Sequence, residues 1–558
     1  MAKPNLRSGL ASIAKAMEDA AVLLRNRQFD AAEKICLRIL KVQPTYFDAL
    51  HLLGVLKLES GRAAAALPSL EAAAKINPGS PQLLSNLCRA LSVLDRDDEA
   101  LAIIDKALAL ARDSFEALNG RGNVLMKLNR AEEALAAFER AMTIEPRFLF
   151  GRASLGNALA QLGRHEEALA QYDAVLAAQP GHAETHLNRA NALASLGRIN
   201  DALAAYARAL EVRPDYLRAE LGRGVALQAL NRHQEALAAF AAVLKADKDN
   251  ADARHNKAMS LLTLGDYRRG FERYEARWLR TGMGKRRGFG KPLWLGEYPL
   301  ARKTILIHSE QGLGDTIQFV RYAPLLARSG AKVVIEAQPA LATLLARVDG
   351  VSAVAARGEP LPAFDVHCPA GSLPLALRTE LASIPAEVPY VAASPARVAK
   401  WRERIERLPG PRIAIAWSGS AAHPNDRNRS IALTRLAPLF EGQESFVSLQ
   451  RDLRPGEAEM LARFSNIADV AAELDDFDDT AAVVSLCDLV IAVDTSVAHL
   501  AGAMGRPVWM LIPFQPDWRW LLDREDSPWY PTARLFRQPT PGDWESVVAK
   551  VKAEMVNL

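Results

Sequence analysis

Cysteine is scarce. Only Cys36, Cys88, Cys368 and Cys487 occur in 558 residues, far apart and without CxxC or Cys/His ligand spacing. That scarcity argues against a structural zinc site and a disulfide framework, and it fits a reducing cytoplasm. No stretch reaches the roughly 18 consecutive apolar residues of a membrane span. Lys15, Glu18 and Asp19 break the N-terminal segment before it can form the apolar core of an export signal. A soluble, cytoplasmic chain is therefore expected. Excess charge is lacking too: 69 Lys and Arg face 65 Asp and Glu, a net of +4, so nothing calls for nucleic acid or an anionic membrane as partner. At roughly 100 to 200 residues per domain the chain should hold several units. All nine tryptophans fall between Trp278 and Trp544, which separates two regions of different character.

The first region is periodic. Pro44, Pro78, Pro146, Pro180 and Pro214 mark a period of 34, with Arg112 and Lys248 at the two off-beat rungs. Ten residues after each rung stands Gly54, Cys88, Gly122, Gly156, Ala190, Gly224 or Ala258, and twelve further on Ala66, Ala100, Ala134, Ala168, Ala202, Ala236 or Gly270. Small residues at two fixed phases let two helices approach closely, and a proline closes each unit. The pattern resembles the tetratricopeptide repeat and predicts an α-solenoid over residues 10–280 with about seven units, preceded by a partial one. Such solenoids bind partners in a concave groove lined by the first helix of each pair. Asn86, Asn188 and Asn256 share one phase, and Asn123, Asn157 and Asn191 lie three residues further along. Amides on one helix face donate and accept, which suits reading a peptide backbone; the same amides can instead bond between neighbouring repeats.

After a basic, glycine-rich seam (residues 281–296), apolar runs alternate with helical stretches. Thr304–His308, Lys332–Ala337, Arg412–Trp417, Phe446–Gln450, Leu489–Val493 and Val508–Ile512 read as strands of two parallel sheets. Two Rossmann-like halves, residues 297–395 and 396–558, are expected, with ligands at the carboxyl ends of the strands. Three segments stand there. In "EQGLGDTIQF" Gly312 and Gly314 precede Asp315; without GxGxxG or GK[ST] this is neither a dinucleotide nor a P-loop fingerprint. Asp315 can cap a helix or serve as a general base, and Glu310 is the rival acid. In "VDTSVAHLAGAMGRPV" Asp494 or Thr495 caps a helix whose first amides, at Ser496 and Val497, favour a phosphate, with His499 one turn in. In "AWSGSAAHPNDRNRSI" Ser418 and Gly419 form a small loop followed by Arg427 and Arg429, and Gln450 ends the next strand where it can meet a base or sugar. The acidic run Asp475–Asp479 reads as a solvated helix start, and the aromatic block Pro516–Tyr530 as packing between the halves.

Together with "PDWRWLLDREDSPWYPTARLFRQ", these motifs resemble the catalytic region of bacterial tetratricopeptide-containing glycosyltransferases. That group is similar to the heptosyltransferases and includes flagellin glycosyltransferases. The resemblance, over about Tyr267 to Val547, implies a GT-B fold. It assigns the second half to a nucleotide sugar and the first to acceptor and catalysis. The expected reaction is a single inverting displacement without cofactor, and no metal is expected because no DxD-type pair stands at a strand end. Asp315 matches the family's general base, Asp494 and Thr495 its "DT" pair, and His499 the histidine of the same motif. Ser496 departs from the heptosyltransferase glycine, and the first half is short. Both departures turn the expectation from ADP-heptose toward a CMP-activated nonulosonic acid such as pseudaminic acid. The expected donor set is Ser418, Gly419, Arg429, Gln450, Asp494, Thr495, Ser496 and His499. Gly312, Gly314 and the six asparagines would meet a protein acceptor, flagellin by resemblance. The rival readings are a catalytically silent peptide-binding scaffold or chaperone and a lipopolysaccharide-type transferase.

Overall fold

The computed structural model describes residues 6–280, 286–423, 425–556 and 558, with side chains from residue 13 onward. The chain divides into two compact units, Met1–Ala219 and Glu220–Leu558.

The first unit holds six helix pairs, from Leu6–Arg25 and Phe29–Val42 to Ala183–Ser195 and Ile199–Val212. Two more pairs follow, Leu217–Ala229 with His233–Ala246 and Ala251–Thr263 with Tyr267–Tyr274. The described residues thus form eight pairs, one more than the columns predict, because the partial unit at the start is a complete pair. The predicted packing is present. Ala66, Ala100, Ala134, Ala168, Ala202 and Ala236 are wholly buried. A Cβ on Gly122 would lie 2.4 Å from the Phe138 ring, and one on Gly156 2.6 Å from Tyr172. Glycine on the first helix therefore makes room for an aromatic side chain on the second. A further column escapes a reading by residue type. Arg27, Gly61, Asp95, Asn129, Gly163, Gly197, Asn231 and Gly265 stand 34 apart, and all have positive φ. Each turn between the helices of a pair needs one left-handed residue, which glycine, asparagine and aspartate adopt at least cost.

The second unit continues into two parallel sheets. The first contains β1 (Thr304–His308), β2 (Lys332–Ala337), β3 (Val351–Ala356) and β4 (Val366–Pro369) in the order β3-β2-β1-β4. The second contains β5 (Arg412–Ala416), β6 (Ser445–Ser448), β7 (Ile467–Asp469), β8 (Leu489–Val493), β9 (Val508–Ile512) and β10 (Ala533–Arg537) in the order β10-β9-β8-β5-β6-β7. The eight strand–strand pairings are parallel. The four strands that the sequence does not announce, β3, β4, β7 and β10, are the sheet edges, where one side needs no unbroken apolar run. The strand order reverses between β1 and β4 in one sheet and between β5 and β8 in the other, which opens a crevice at the carboxyl ends of each.

Three expectations change. One buried apolar cluster joins Tyr267 and Phe271 of the last repeat, Ile305 and Val333 of the first sheet, and Trp518 and Trp529 of the second half. The last repeat is therefore part of the α/β unit, and the compact-unit boundary falls at residue 219/220 rather than near 280. Within the seam, residues 281–285 lie outside the described residues. Of the rest, which was expected to be a linker, the end is docked: Trp294 is buried, its amide donates to the His367 carbonyl at 2.9 Å, and the His367 amide returns a bond to Pro292, while residues 286–288 and 290–292 are exposed. The acidic run starts a helix as expected, but only Asp475 in it is exposed. Asp476 caps the helix Phe477–Leu486, while Asp478 and Asp479 are fully desolvated. Their charges are compensated by Arg347 on Asp478 and by Arg397 and Lys400 on Asp479, which also accepts the Trp401 indole N–H at 2.8 Å.

Candidate site in the interlobe cleft

The crevice of the second sheet is framed by the segments leaving β5 and β8. β5 runs into Trp417, Ser418 and Gly419; β8 runs into Asp494, Thr495 and the helix Ser496–Ala503. The guanidinium of Arg429 joins the two. It lies over Gly419, where a Cβ would fall 2.4 Å from Nη2, and its Nη1 donates to the Asp494 carbonyl at 3.1 Å. Thr495 is the N-cap residue, but its hydroxyl makes no cap bond. Three buried polar atoms here make no hydrogen bond, Ser418 Oγ, Arg429 Nε and Thr495 Oγ1, although Arg429 Nε lies 3.9 Å from the Asp426 carboxylate. The first amides of this helix, the Arg429 guanidinium and the two hydroxyls are groups of the kind that hold an anion.

Two predicted donor contacts have other work. Gln450 Oε1 accepts the Trp417 and Ser418 amides at 3.1 and 2.9 Å, and its Nε2 donates to the Asp452 carbonyl. It shapes the loop instead of facing a base or sugar, because both ends of its amide are spent. His499 turns inward. Nδ1 meets the Tyr530 hydroxyl at 2.8 Å, and burial beside Arg519, Arg321 and Arg429 holds the imidazole well below its usual pKa and hence neutral. Its ring fills the space beside Gly314, where a Cβ would fall 2.7 Å from Cδ2. Gly314 is thus clearance for a histidine of the opposite half, not for an acceptor. Asp494 keeps 15% of its side chain exposed, and desolvation together with the charge of Asp517 raises its carboxyl pKa.

Asp315 belongs to the first half, on the helix Leu313–Phe319 that packs against Ser496–Ala503. It stands in the first turn of the helix Leu313–Phe319 and reaches back to accept the Gly312 amide at 2.9 Å. Its other oxygen is ion-paired with Arg519 of the second half, which also holds Asp517 at 2.8 Å. Asp315 therefore caps its helix and stands at the cleft at once. A quarter of its side chain is exposed.

Comparisons with known proteins bear on this geometry. Residues 20–81, 57–123, 115–148, 153–216, 187–251 and 221–284 match tetratricopeptide-repeat families. Residues 451–511, which carry β8 and the helix Ser496–Ala503, match glycosyltransferase family 9 (heptosyltransferase). The chain carries tetratricopeptide repeats and a heptosyltransferase-like region. It is 29% identical over 328 residues to Protein FlbA of Caulobacter vibrioides, covering 52% of each chain, so it spans about half the length of that curated relative. Among solved structures, a tetratricopeptide repeat protein from Parabacteroides merdae is 16% identical, covering 45% of this chain and 99% of that one with a TM-score of 0.38. A thermophilic tetratricopeptide protein of Thermus thermophilus is 28% identical, covering 32% of this chain and 98% of that one with a TM-score of 0.30. YrrB, described as having an unusual peptide-binding site, is 25% identical, covering 34% of this chain and 97% of that one with a TM-score of 0.29.

The rival acid Glu310 is placed differently from Asp315. Its side chain is 6% exposed and ion-paired with Arg277; burial, opposed by that arginine, pushes its pKa up to about 7. In the repeats several asparagines bond to protein. The Asn188 amide donates to Asn157 Oδ1 at 2.9 Å, the Tyr172 hydroxyl donates to the same atom, and Tyr206 donates to Asn191. Asn86 meets His51 at 3.0 Å. Asn86, Asn157 and Asn188 thus tie neighbouring repeats together, and Asn191 joins the two helices of one pair. Asn123 is exposed and Asn256 half-buried. The residue that sequence reasoning missed is Arg519. It lay inside the tryptophan block "PDWRW", and no spacing tied it to Asp315, 204 positions away.

Proposed function

We propose that the protein is an inverting O-glycosyltransferase that moves a sugar from a nucleotide donor to a serine or threonine of a polypeptide held by the repeats. The observation that supports this reading is the grouping of Ser418, Gly419, Arg429, Thr495 and Ser496, with Asp315 on the helix packed against Ser496–Ala503. The leaving nucleotide phosphate would rest on the Ser496–Ala503 helix start and the Arg429 guanidinium, where donors already point and need no reorganisation. Asp315 would accept the proton of the acceptor hydroxyl as its oxygen attacks the anomeric carbon. The C–O bond to phosphate breaks in the same displacement, and the sugar inverts. Asp315 is preferred to Glu310 because it is reachable and Glu310 is enclosed. By resemblance, a CMP-activated nonulosonic acid is the donor to try first and flagellin the acceptor.

The test is intact-mass analysis of candidate acceptors co-expressed with this protein and a panel of sugar pathways, with Asp315→Ala and Glu310→Ala alongside. A sugar added by the wild type and lost in Asp315→Ala is expected. Full transfer by Asp315→Ala refutes its role as base; nucleotide binding with no transfer to any acceptor favours the scaffold reading.

A further inference from the structure

The crevice of the first sheet, between the ends of β1 and β4, is filled by the chain itself. Arg277, in the turn Glu275–Leu279 that ends the last repeat, is wholly buried there. Its Nη2 donates to Glu310 Oε1, just past β1, at 2.8 Å and to Ser372 Oγ, just past β4, at 2.7 Å. The Ser372 hydroxyl passes a bond on to Glu275 at 2.7 Å. Gly371 makes the approach feasible, since a Cβ there would fall 2.5 Å from Glu310 Oε1. One turn earlier the Tyr274 hydroxyl accepts the Gln311 side-chain amide at 2.7 Å. The Gln311 carbonyl takes the Gln338 amide at 2.9 Å, and Gln338 Oε1 takes the Thr316 hydroxyl at 2.9 Å. Glu310 and Gln311 are thus both gripped by the last repeat immediately before the turn that carries Asp315.

We propose that Tyr274 and Arg277 are positioning residues of the transfer site: the repeat domain plugs the ligand crevice of the acceptor half and so fixes the loop that presents Asp315. The proposal rests on the transferase reading for its kinetic arm only. A guanidinium in the place where a ligand would lie has two consequences. The first sheet binds no small molecule at its own crevice, so the acceptor enters from the side of the second half. The repeats, moreover, are needed for chemistry as well as for capture. Lysine cannot replace Arg277, because one ammonium lacks the fork that sets Nε and Nη2 on Glu310 and Nη1 on Glu275.

The experiment compares full-length wild type, Tyr274→Phe and Arg277→Lys by amide hydrogen exchange over residues 309–315, CMP affinity and transfer kinetics. Tyr274→Phe removes a single hydroxyl, so it remains informative if Arg277→Lys does not fold. Exchange of the loop should quicken roughly fivefold for the loss of one net hydrogen bond, with CMP affinity unchanged. The kcat should fall by up to about 10² through displacement of Asp315, at unchanged KM for donor and acceptor. Unaltered loop exchange in both variants overturns the proposal. A fall in acceptor affinity at unchanged kcat also overturns it, since that outcome assigns Tyr274 to capture. Faster loop exchange in a chain that transfers no sugar refutes the transferase reading while leaving the plug in place.

Discussion

At the scale of the residue, burial decides what each polar group can do. Arg429 and Asp315 each combine some access with a fixed orientation. Arg429→Lys should weaken nucleotide binding by about 10-fold to 100-fold, the worth of a charge-assisted hydrogen bond, with CMP affinity by calorimetry as the check. Asp315→Asn should lower transfer by about 10² to 10⁴ at unchanged CMP affinity, because asparagine keeps the shape but takes no proton. His308 shows the opposite situation. It is 1% exposed, its Nδ1 has no partner, and burial pushes its pKa down to about 3. The folded state therefore excludes a proton that the unfolded chain takes up below the usual histidine range. Stability on this account is full above about pH 6.5 and falls as the pH drops toward 3. His308→Gln should remove that slope: its stability relative to wild type should improve by up to roughly 3 kcal/mol between pH 7 and pH 4, read from denaturant midpoints.

At the scale of the element, two kinds of glycine in the repeats do different physical work. Gly163 has a φ of +76° and open space around its Cβ position, so Gly163→Ala introduces backbone strain without a clash and should cost about 1 kcal/mol. Gly122 sits inside a helix against Phe138; Gly122→Ala gains helix propensity but forces the two helices apart, and should cost about 1–3 kcal/mol as overpacking. Replacing Phe138 by leucine should relieve the second variant and leave the first unchanged, a double-mutant cycle read by urea denaturation. The asparagine ladder belongs to this scale too. Its period was visible, and so were both of its uses. Tyr172 and Tyr206, on the second helices of their pairs, reach Asn157 and Asn191 and turn these amides toward the protein itself.

At the scale of the whole molecule, the compact unit begins inside the repeats. A fragment of residues 220–558 should melt cooperatively, whereas one beginning at residue 286 should aggregate. The shorter fragment lacks Tyr267 and Phe271, which close over Trp518 and Trp529, and Arg277, whose removal leaves Glu310 buried without its cation. Light scattering and thermal melts of the two fragments check this. The solenoid and the six central strands were legible in the sequence, because helix–helix packing imposes small residues at fixed phase and a strand buried on both faces must be apolar throughout. Legible as well were the positions of Asp315 and Thr495 at helix starts, since strand ends followed by small or capping residues are local patterns. Arg519 on Asp315, His499 in the space beside Gly314, and Arg277 in the crevice of the first sheet were decided only by the tertiary structure. Each joins residues that no period or motif connects, and a charge or a ring becomes a partner only when the fold has removed water from both.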